Sequence, residues 1–197
     1  TSHPDLIDGA NPEAPSAFDW GGTVRGFAGK MDAPVPRELK TEELPRIVDE
    51  FRQGARRAID AGVDGVEIHG ANGYLLHEFM APSANKREDE FGGSPENRWR
   101  LPEMVIRAVV EEIGADRVGV RFSPAHNVQG VIEDDQEDML ATYGGLLDAL
   151  APLNLAYVSL LHGEPDSELI ATLAQKARAN GVTKVLMNDG FPTITSK

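Results

Sequence analysis

The sequence contains no cysteine, and this absence removes a set of chemistries at once. Disulfide bonds, thiolate nucleophiles and cysteine metal sites are all excluded. A chain without cysteine suits a reducing compartment, and we expect a cytoplasmic location. Aromatic residues are also few, at 6%, whereas the hydrophobic content of 41% is ordinary for a globular protein. The 197 residues suffice for one domain with a sizeable core.

Basic residues and long apolar runs are also scarce. Lysine and arginine number 19 against 32 acidic residues, so the formal net charge is −13. A field of that sign repels nucleic-acid phosphates and anionic membranes, and the acidity is best explained as an aid to solubility. No apolar run approaches the roughly 18 residues of a membrane-spanning helix, and no signal-peptide pattern is visible. We therefore expect neither a nucleic acid nor a membrane as a partner.

Proline and glycine are concentrated in residues 1–40, where few apolar positions repeat. We predict a long loop with a small hairpin there, followed by a regular region over residues 41–197. In that second region, helical and strand patterns alternate. Helices are predicted at 41–61, 95–113, 134–150 and 166–180, and strands at 63–69, 117–122, 155–161 and 183–187.

The four predicted strands are β-branched and largely apolar, which is typical of a parallel sheet covered by helices. No strand is followed by a phosphate-binding Gly-x-Gly-x-x-Gly, and this weakens a Rossmann interpretation. In a (β/α)8 barrel, the carboxyl ends of the strands carry the chemistry. Polar residues lie at those ends here: His69, Arg121, His162 and Asn188. Because a complete barrel needs about 250 residues and eight strands, we predict a partial (β/α)8 TIM barrel of the α/β class.

The loop after the first predicted strand carries three polar side chains within six residues. His69 and Asn72 bring two hydrogen-bond donors that suit a carbonyl or phenolate oxygen, where they would stabilise an enolate. Tyr74 offers a phenolic proton for a neighbouring carbon. The alternative is a histidine that only ties down the loop. Glu67 shares the face of His69 and is interpreted as part of the fold, with a supporting role left open.

Arg121 lies in an otherwise apolar strand, where an unpaired charge would be expensive. One interpretation is an internal salt bridge. The other is a cation beside an electron-rich flavin ring, where it would stabilise the reduced, anionic state. Both interpretations stay open on sequence alone.

Two stretches, residues 69–98 and 117–124, resemble the old yellow enzyme family very closely. The resemblance covers essentially the whole chain and is weakest in residues 1–40, which look like the segment after the third barrel strand. It implies strands four to seven of the barrel, FMN as cofactor and NADPH or NADH as reductant. The variant Leu75–Ser83 looks most like bacterial ene-reductases that act on small molecules such as enones, nitroalkenes and nitrate esters.

The same resemblance implies roles for individual residues. His69 and Asn72 would bind the activating oxygen of the substrate, Tyr74 would donate the proton, and Arg121 would contact the flavin. Asn188 and Gly190 fall in a turn whose backbone amides would help to hold the FMN phosphate, although Asp189 puts an acidic side chain there. The run 85–98 is interpreted as structural, with Ser94 as a helix cap. No metal site is predicted.

Three hypotheses follow from the resemblance. The first is an FMN-dependent ene-reductase. The second is a truncated, non-catalytic fragment with weak or no FMN binding, stabilised by self-association or a partner, since a half-barrel exposes two sheet edges. The third is a relative that carries an iron–sulfur centre, against which the lack of cysteine argues.

Overall fold

The structure, a computed structural model, describes residues 2–182 and 184–188. A segment of short strands comes first, followed by alternating helices and strands. The short strands are β1 (Glu13–Ala14), β2 (Thr23–Gly26), β3 (Gly29–Asp32) and β4 (Arg37–Glu38). The elements that follow are α1 (Leu44–Asp60), β5 (Val66–Gly70), α2 (Leu75–Met80), α3 (Pro95–Ile113), β6 (Val118–Phe122), α4 (Gln136–Leu150), β7 (Tyr157–Leu161), α5 (Glu168–Ala179) and β8 (Val185–Asn188).

Strands β5 to β8 form one parallel sheet in chain order. The register places His69 beside Arg121, and Arg121 beside Ser159. Helices α1, α3, α4 and α5 follow the same order, each packed on the next. Parallel strands joined by helices in sequence form part of a (β/α)8 barrel, so the predicted fold is confirmed.

The apolar core lies between the sheet and these helices. Ile68, Val120 and Val158 are register partners with at most 5% exposure, because they point from the sheet towards the helices. Strand side chains alternate between the two faces, so Glu67 and His69 point to the opposite, inner face. That inner face is where polar groups can meet a ligand.

Helix and strand boundaries differ from the predicted ones by a few residues. Residues 41–43 form a 3-10 turn, so α1 begins at Leu44 rather than at Thr41. Strand β5 begins at Val66 rather than Val63, because Gly62 turns the chain with φ of +91° and Val63 lies exposed. The six-residue helix α2 was not predicted, since it is too short to show a helical period. Predicted residue Thr183 lies outside the described residues.

The segment of residues 2–40 carries the β2–β3 hairpin and a short parallel pair, β1 with β4. It is attached to the barrel by polar contacts. The Lys86 amide donates to Ser16 Oγ at 2.8 Å, and the Arg87 guanidinium donates to the Pro15 carbonyl at 3.1 Å. These contacts place the segment over the loop that follows α2.

Residues 85–98 act structurally in this fold. Asn85 donates from Nδ2 to the Phe79 and Phe91 carbonyls at 2.7 and 2.8 Å, which closes the loop on itself. Ser94 caps α3 by accepting from the Asn97 amide, with Pro95 at the first helical position. Turn and cap chemistry therefore account for these residues.

Candidate active site

The loop between β5 and α2 brings three predicted site residues together. His69 is near the end of β5, and its ring centroid lies 5.1 Å from that of Tyr74, with the planes tilted by 49°. Asn72 lies in the turn between them, and Tyr74 is 44% exposed. Arg121 is beside His69 on the neighbouring strand. One edge of the sheet therefore presents an imidazole, a carboxamide, a phenol and a guanidinium.

The turn that carries Asn72 has an unusual backbone. Asn72 has a φ of +57° and Gly73 a φ of +72°, both in the left-handed region. Gly73 is also required by space, because a Cβ there would lie 2.5 Å from the Val128 carbonyl oxygen. The Asn72 amide donates to Ser123 Oγ at 2.8 Å, so the loop after β6 supports this turn.

The electrostatic surroundings keep the His69 imidazole neutral. Burial lowers the pKa of His69 below its usual value, and the positive charge of Arg121 lowers it further, while Glu67 opposes the shift. A neutral imidazole carries one N–H donor and one acceptor. At neutral pH, His69 can therefore donate one hydrogen bond to a ligand oxygen.

Arg121 pairs with Glu67 on the inner face of the sheet. Arg121 Nη2 lies 2.8 Å from Glu67 Oε1, and the Tyr157 hydroxyl donates to Glu67 Oε2 at 3.0 Å. Tyr157 reaches across Gly119, where a Cβ would lie 2.2 Å from the phenol ring. Burial and this hydrogen bond raise the pKa of Tyr157. Both sequence interpretations of Arg121 therefore remain compatible, because the paired Arg121 side chain is still 33% exposed.

Two buried polar atoms of the site lack a hydrogen-bond partner among the described residues. They are Asn72 Oδ1 and Arg121 Nε. Buried polar atoms are normally satisfied, so these two unpaired atoms are compatible with a ligand contact. Arg121 Nε suits a carbonyl-bearing ring edge such as that of a flavin. The residues present thus fit one side of an FMN site.

Of the remaining predicted residues, the structure describes Asn188, which lies on the last described strand. Asn188 ends β8, and its carbonyl accepts from the His162 amide at 2.9 Å. The Glu164 amide donates to His162 Nδ1 at 2.9 Å, so His162 stabilises its own loop. Gly190 and Asp189 lie outside the described residues.

Sequence analysis missed the polar groups beneath the loop. His77 accepts from the Gly73 amide and lies next to Glu133, and both side chains are almost completely buried. Tyr143 donates to Glu133 at 2.9 Å, and burial together with that carboxylate raises the pKa of Tyr143. The available signal was His77 within an apolar run, since a buried polar residue needs a partner.

Glu78, next to His77, gives a prediction on stability. Burial raises the pKa of Glu78 to about 7. Between the unfolded value near 4.5 and about 7, the folded state binds more protons, so stability falls as pH rises through this window. Above pH 7, the folded state bears the cost of a buried carboxylate. Glu78→Gln removes this carboxylate. We therefore expect the change that Glu78→Gln makes in the free energy of unfolding to be more favourable at pH 8 than at pH 4.5, by roughly 2–3 kcal/mol.

Urea denaturation of wild type and Glu78→Gln across pH 4.5–8 measures this difference. Glu90→Gln on an exposed turn is the matched control and should change little. A constant difference between wild type and Glu78→Gln at every pH would contradict the shifted pKa.

In residues 2–182 and 184–188, no group of three or more His, Cys, Asp or Glu side chains could hold a metal ion. Within the same part of the chain, none of the helices is both long and apolar enough to cross a membrane.

Parallel strands in chain order, with polar groups converging at their carboxyl ends, define the class of this protein as a (β/α)8-barrel type with its site at the strand ends. Comparison with known proteins then identifies the family. The chain belongs to the NADH:flavin oxidoreductase / NADH oxidase family, whose profile matches residues 7–185. The resemblance to old yellow enzymes predicted from the sequence is confirmed.

Rice proteins (Oryza sativa subsp. japonica) are among the similar sequences. Putative 12-oxophytodienoate reductase 10 is 53% identical over 123 residues, which cover 62% of this chain and 39% of that protein. Putative 12-oxophytodienoate reductase 4 is 58% identical over 100 residues, which cover 51% of this chain and 26% of that protein. The chain thus spans about a quarter to two fifths of these relatives.

Solved structures match over nearly the whole chain. The old yellow enzyme homologue from Zymomonas mobilis has a TM-score of 0.83 and 33% identity, covering 95% of this chain and 53% of its own. Morphinone reductase in complex with tetrahydroNAD has a TM-score of 0.81 and 35% identity, covering 93% and 51%. The chain spans about half of each neighbour.

Proposed function

We propose that this chain carries the substrate-activating part of an FMN-dependent ene-reductase, which reduces electron-poor C=C bonds of enones or nitroalkenes with NADPH or NADH. The observation that carries this proposal is the convergence of His69, Asn72 and Tyr74 in one loop. The ring of Tyr74 lies 5.1 Å from that of His69, so a donor to oxygen and a donor to carbon are neighbours. Reduction of a small α,β-unsaturated carbonyl compound requires both a hydrogen-bond donor to the carbonyl oxygen and a proton donor to a carbon atom.

His69 and Asn72 bind the activating oxygen in this proposal. Neutral His69 donates one N–H, and the Asn72 carboxamide donates a second. Charge grows on that oxygen as the alkene is reduced, and prearranged donors stabilise it most at that stage. FMN, when bound, supplies the hydride for the β-carbon. Tyr74 delivers the proton to the neighbouring carbon, and its exposure gives solvent a route to reprotonate the phenol.

Arg121 is assigned to the flavin. Its Nε is buried and without a partner among the described residues, while Glu67 holds the other end of the guanidinium. That pair orients Arg121 through Nη2 and leaves Nε as a donor for an electron-rich ring edge. The backbone amides of Asn188 and Gly190 are proposed to bind the FMN phosphate, as the family resemblance implies.

Similarity to known proteins supports the cofactor and the reaction class. The matched family is described as NADH:flavin oxidoreductase, and one structural neighbour was solved with tetrahydroNAD. The rice relatives are named as reductases of 12-oxophytodienoate. These names favour an FMN and nicotinamide enzyme without separating NADPH from NADH.

A second candidate is a non-catalytic fragment that associates with itself or with a partner. Among the described strands, β5 and β8 each pair on one side only. Leu186 and Met187 of β8 are about half exposed. Unpaired edges with apolar side chains favour pairing with another chain.

Titration of the purified chain with FMN, followed by visible absorption and by sedimentation, distinguishes the two candidates. A resolved flavin band that NADPH or NADH bleaches and cyclohexenone restores is the result expected for an ene-reductase. A colourless protein that sediments as a dimer or larger species would contradict the proposal and favour the fragment.

A further inference from the structure

A buried polar network lies beneath the substrate loop and takes no part in the chemistry proposed above. The network centres on His77 in α2, which has no exposed surface, and on Glu133, which is 5% exposed. Buried charged groups are expensive unless hydrogen bonds satisfy them. Glu133 meets three donors: His77 Nε2 at 3.2 Å, the Tyr143 hydroxyl at 2.9 Å and the Ala125 amide at 3.0 Å. The carboxylate is therefore held in place by the loop after β6 and by α4.

The hydrogen bonds assign one tautomer to His77. The Gly73 amide donates to Nδ1 at 3.0 Å, so this nitrogen carries no proton. The ring proton therefore lies on Nε2 and is donated to Glu133. A carboxylate on one imidazole nitrogen orients the ring and defines the role of the other nitrogen. His77 thus presents a fixed acceptor to the backbone of the loop.

The turn held by His77 passes through two consecutive left-handed residues, Asn72 and Gly73. Asn-Gly adopts this backbone more readily than other pairs, so contacts with neighbouring residues, rather than backbone strain, fix the position of this turn. Three contacts hold it: Asn72 N to Ser123 Oγ at 2.8 Å, Gln129 Nε2 to the Asn72 carbonyl at 2.9 Å, and Gly73 N to His77. Of the three side chains that make these contacts, His77 is the one that also binds a buried carboxylate, that of Glu133.

We propose that His77, oriented by Glu133, is a positioning residue that keeps Asn72 and Gly73 in the left-handed turn and so directs the Asn72 carboxamide into the site. The hydrogen bond from the Gly73 amide to His77 restrains the turn, and the hydrogen bond from His77 to Glu133 fixes the orientation of the imidazole ring. The consequence for alkene binding rests on the proposed function, because Asn72 is a substrate ligand only there.

Two substitutions separate the contacts of His77. In His77→Asn, Oδ1 can take the position of Nδ1 and accept from Gly73, while the contact to Glu133 is lost. In His77→Gln, the amide reaches the position of Nε2 and keeps Glu133, while Gly73 loses its acceptor. Met80→Leu perturbs packing of the same helix without removing a polar contact. Comparison of His77→Asn with His77→Gln therefore tests the hydrogen bond from the Gly73 amide with side chains of similar volume and polarity.

Amide hydrogen exchange reports on the hydrogen bond from the Gly73 amide to His77 directly, and it needs no cofactor. We expect the Gly73 amide to exchange about tenfold faster in His77→Gln than in His77→Asn or Met80→Leu, after correction for global stability by urea denaturation. The side-chain NH2 signals of Asn72 in NMR spectra should shift in His77→Gln and stay near wild type in Met80→Leu. Equal exchange of Gly73 in His77→Asn and His77→Gln would overturn the proposal.

Kinetics of the FMN-loaded chain test the consequence. We expect His77→Gln to raise the KM for cyclohexenone on the order of tenfold, as for loss of one well-placed hydrogen bond, with flavin reduction by NADPH unchanged. His77→Asn keeps an acceptor for Gly73 but loses its orientation by Glu133, so it should raise the KM less than His77→Gln does. An unchanged KM in His77→Gln would contradict a role in directing Asn72. If wild type binds no FMN, the proposed function fails, and the exchange and NMR comparison still decides whether His77 positions the turn.

Discussion

Arg98→Met is expected to lower the free energy of unfolding by about 3–5 kcal/mol, the cost of breaking a buried ion pair from one side. Arg98 in α3 is 3% exposed and binds Asp138 of α4 through both carboxylate oxygens at 2.6 Å. It also donates to the Met80 carbonyl at 2.7 Å and to Thr142 Oγ1 at 3.0 Å. Methionine fills the volume but leaves all these acceptors without their donor.

Urea denaturation of the purified variant measures this loss. Arg107→Met is the matched control, since Arg107 lies on the same helix, pairs with Glu103 at 2.8 Å and is 44% exposed on its side chain. Exposed pairs contribute at most about 1 kcal/mol, so the control should lose little. The double variant Arg98→Met/Asp138→Leu should recover part of the stability, because no charge is then left unpaired. Equal losses in Arg98→Met and Arg107→Met would show that the buried network is not what stabilises the packing of α3 on α4.

Tyr74→Phe in the FMN-loaded chain is expected to slow alkene reduction by about 10²–10⁴-fold, the usual contribution of a positioned general acid. Flavin reduction by NADPH needs no proton from Tyr74 and should proceed at the wild-type rate. The phenol is 44% exposed and packs against His69, so its hydroxyl can be removed without opening the core. Stopped-flow absorbance of the two half-reactions separates the effects.

The reductive half-reaction is the internal control for Tyr74→Phe. Equal slowing of both half-reactions would show that Tyr74 supports flavin binding rather than proton delivery. A wild-type rate of alkene reduction would assign the proton to another donor or to water. Thermal denaturation of Tyr74→Phe should match wild type, because only an exposed hydroxyl is lost.

The sequence predicted the architecture well because its signals are local and periodic. Strands such as Val118–Phe122 are short apolar runs between glycine and polar residues, and α3 begins with a cap at Ser94 and a proline. The short helix α2 escaped prediction because six residues carry too little periodicity. The proximity of His69, Asn72 and Tyr74 could be predicted because they lie within six residues at the end of a strand, and their roles stay predictions.

By itself, the sequence determined the order of the longer helices and of the sheet strands, the family resemblance and the identity of the loop from His69 to Tyr74. These features depend on residues that are close together in the sequence, so the order of residues is enough to predict them. Tertiary structure alone decided that Arg121 pairs with Glu67, and that His77 lies between Gly73 and Glu133. Glu133 is 56 residues from His77, and such contacts depend on how strands and loops are brought together in space. The site loop is thus recognisable from its sequence, whereas its support is visible only once the chain is folded.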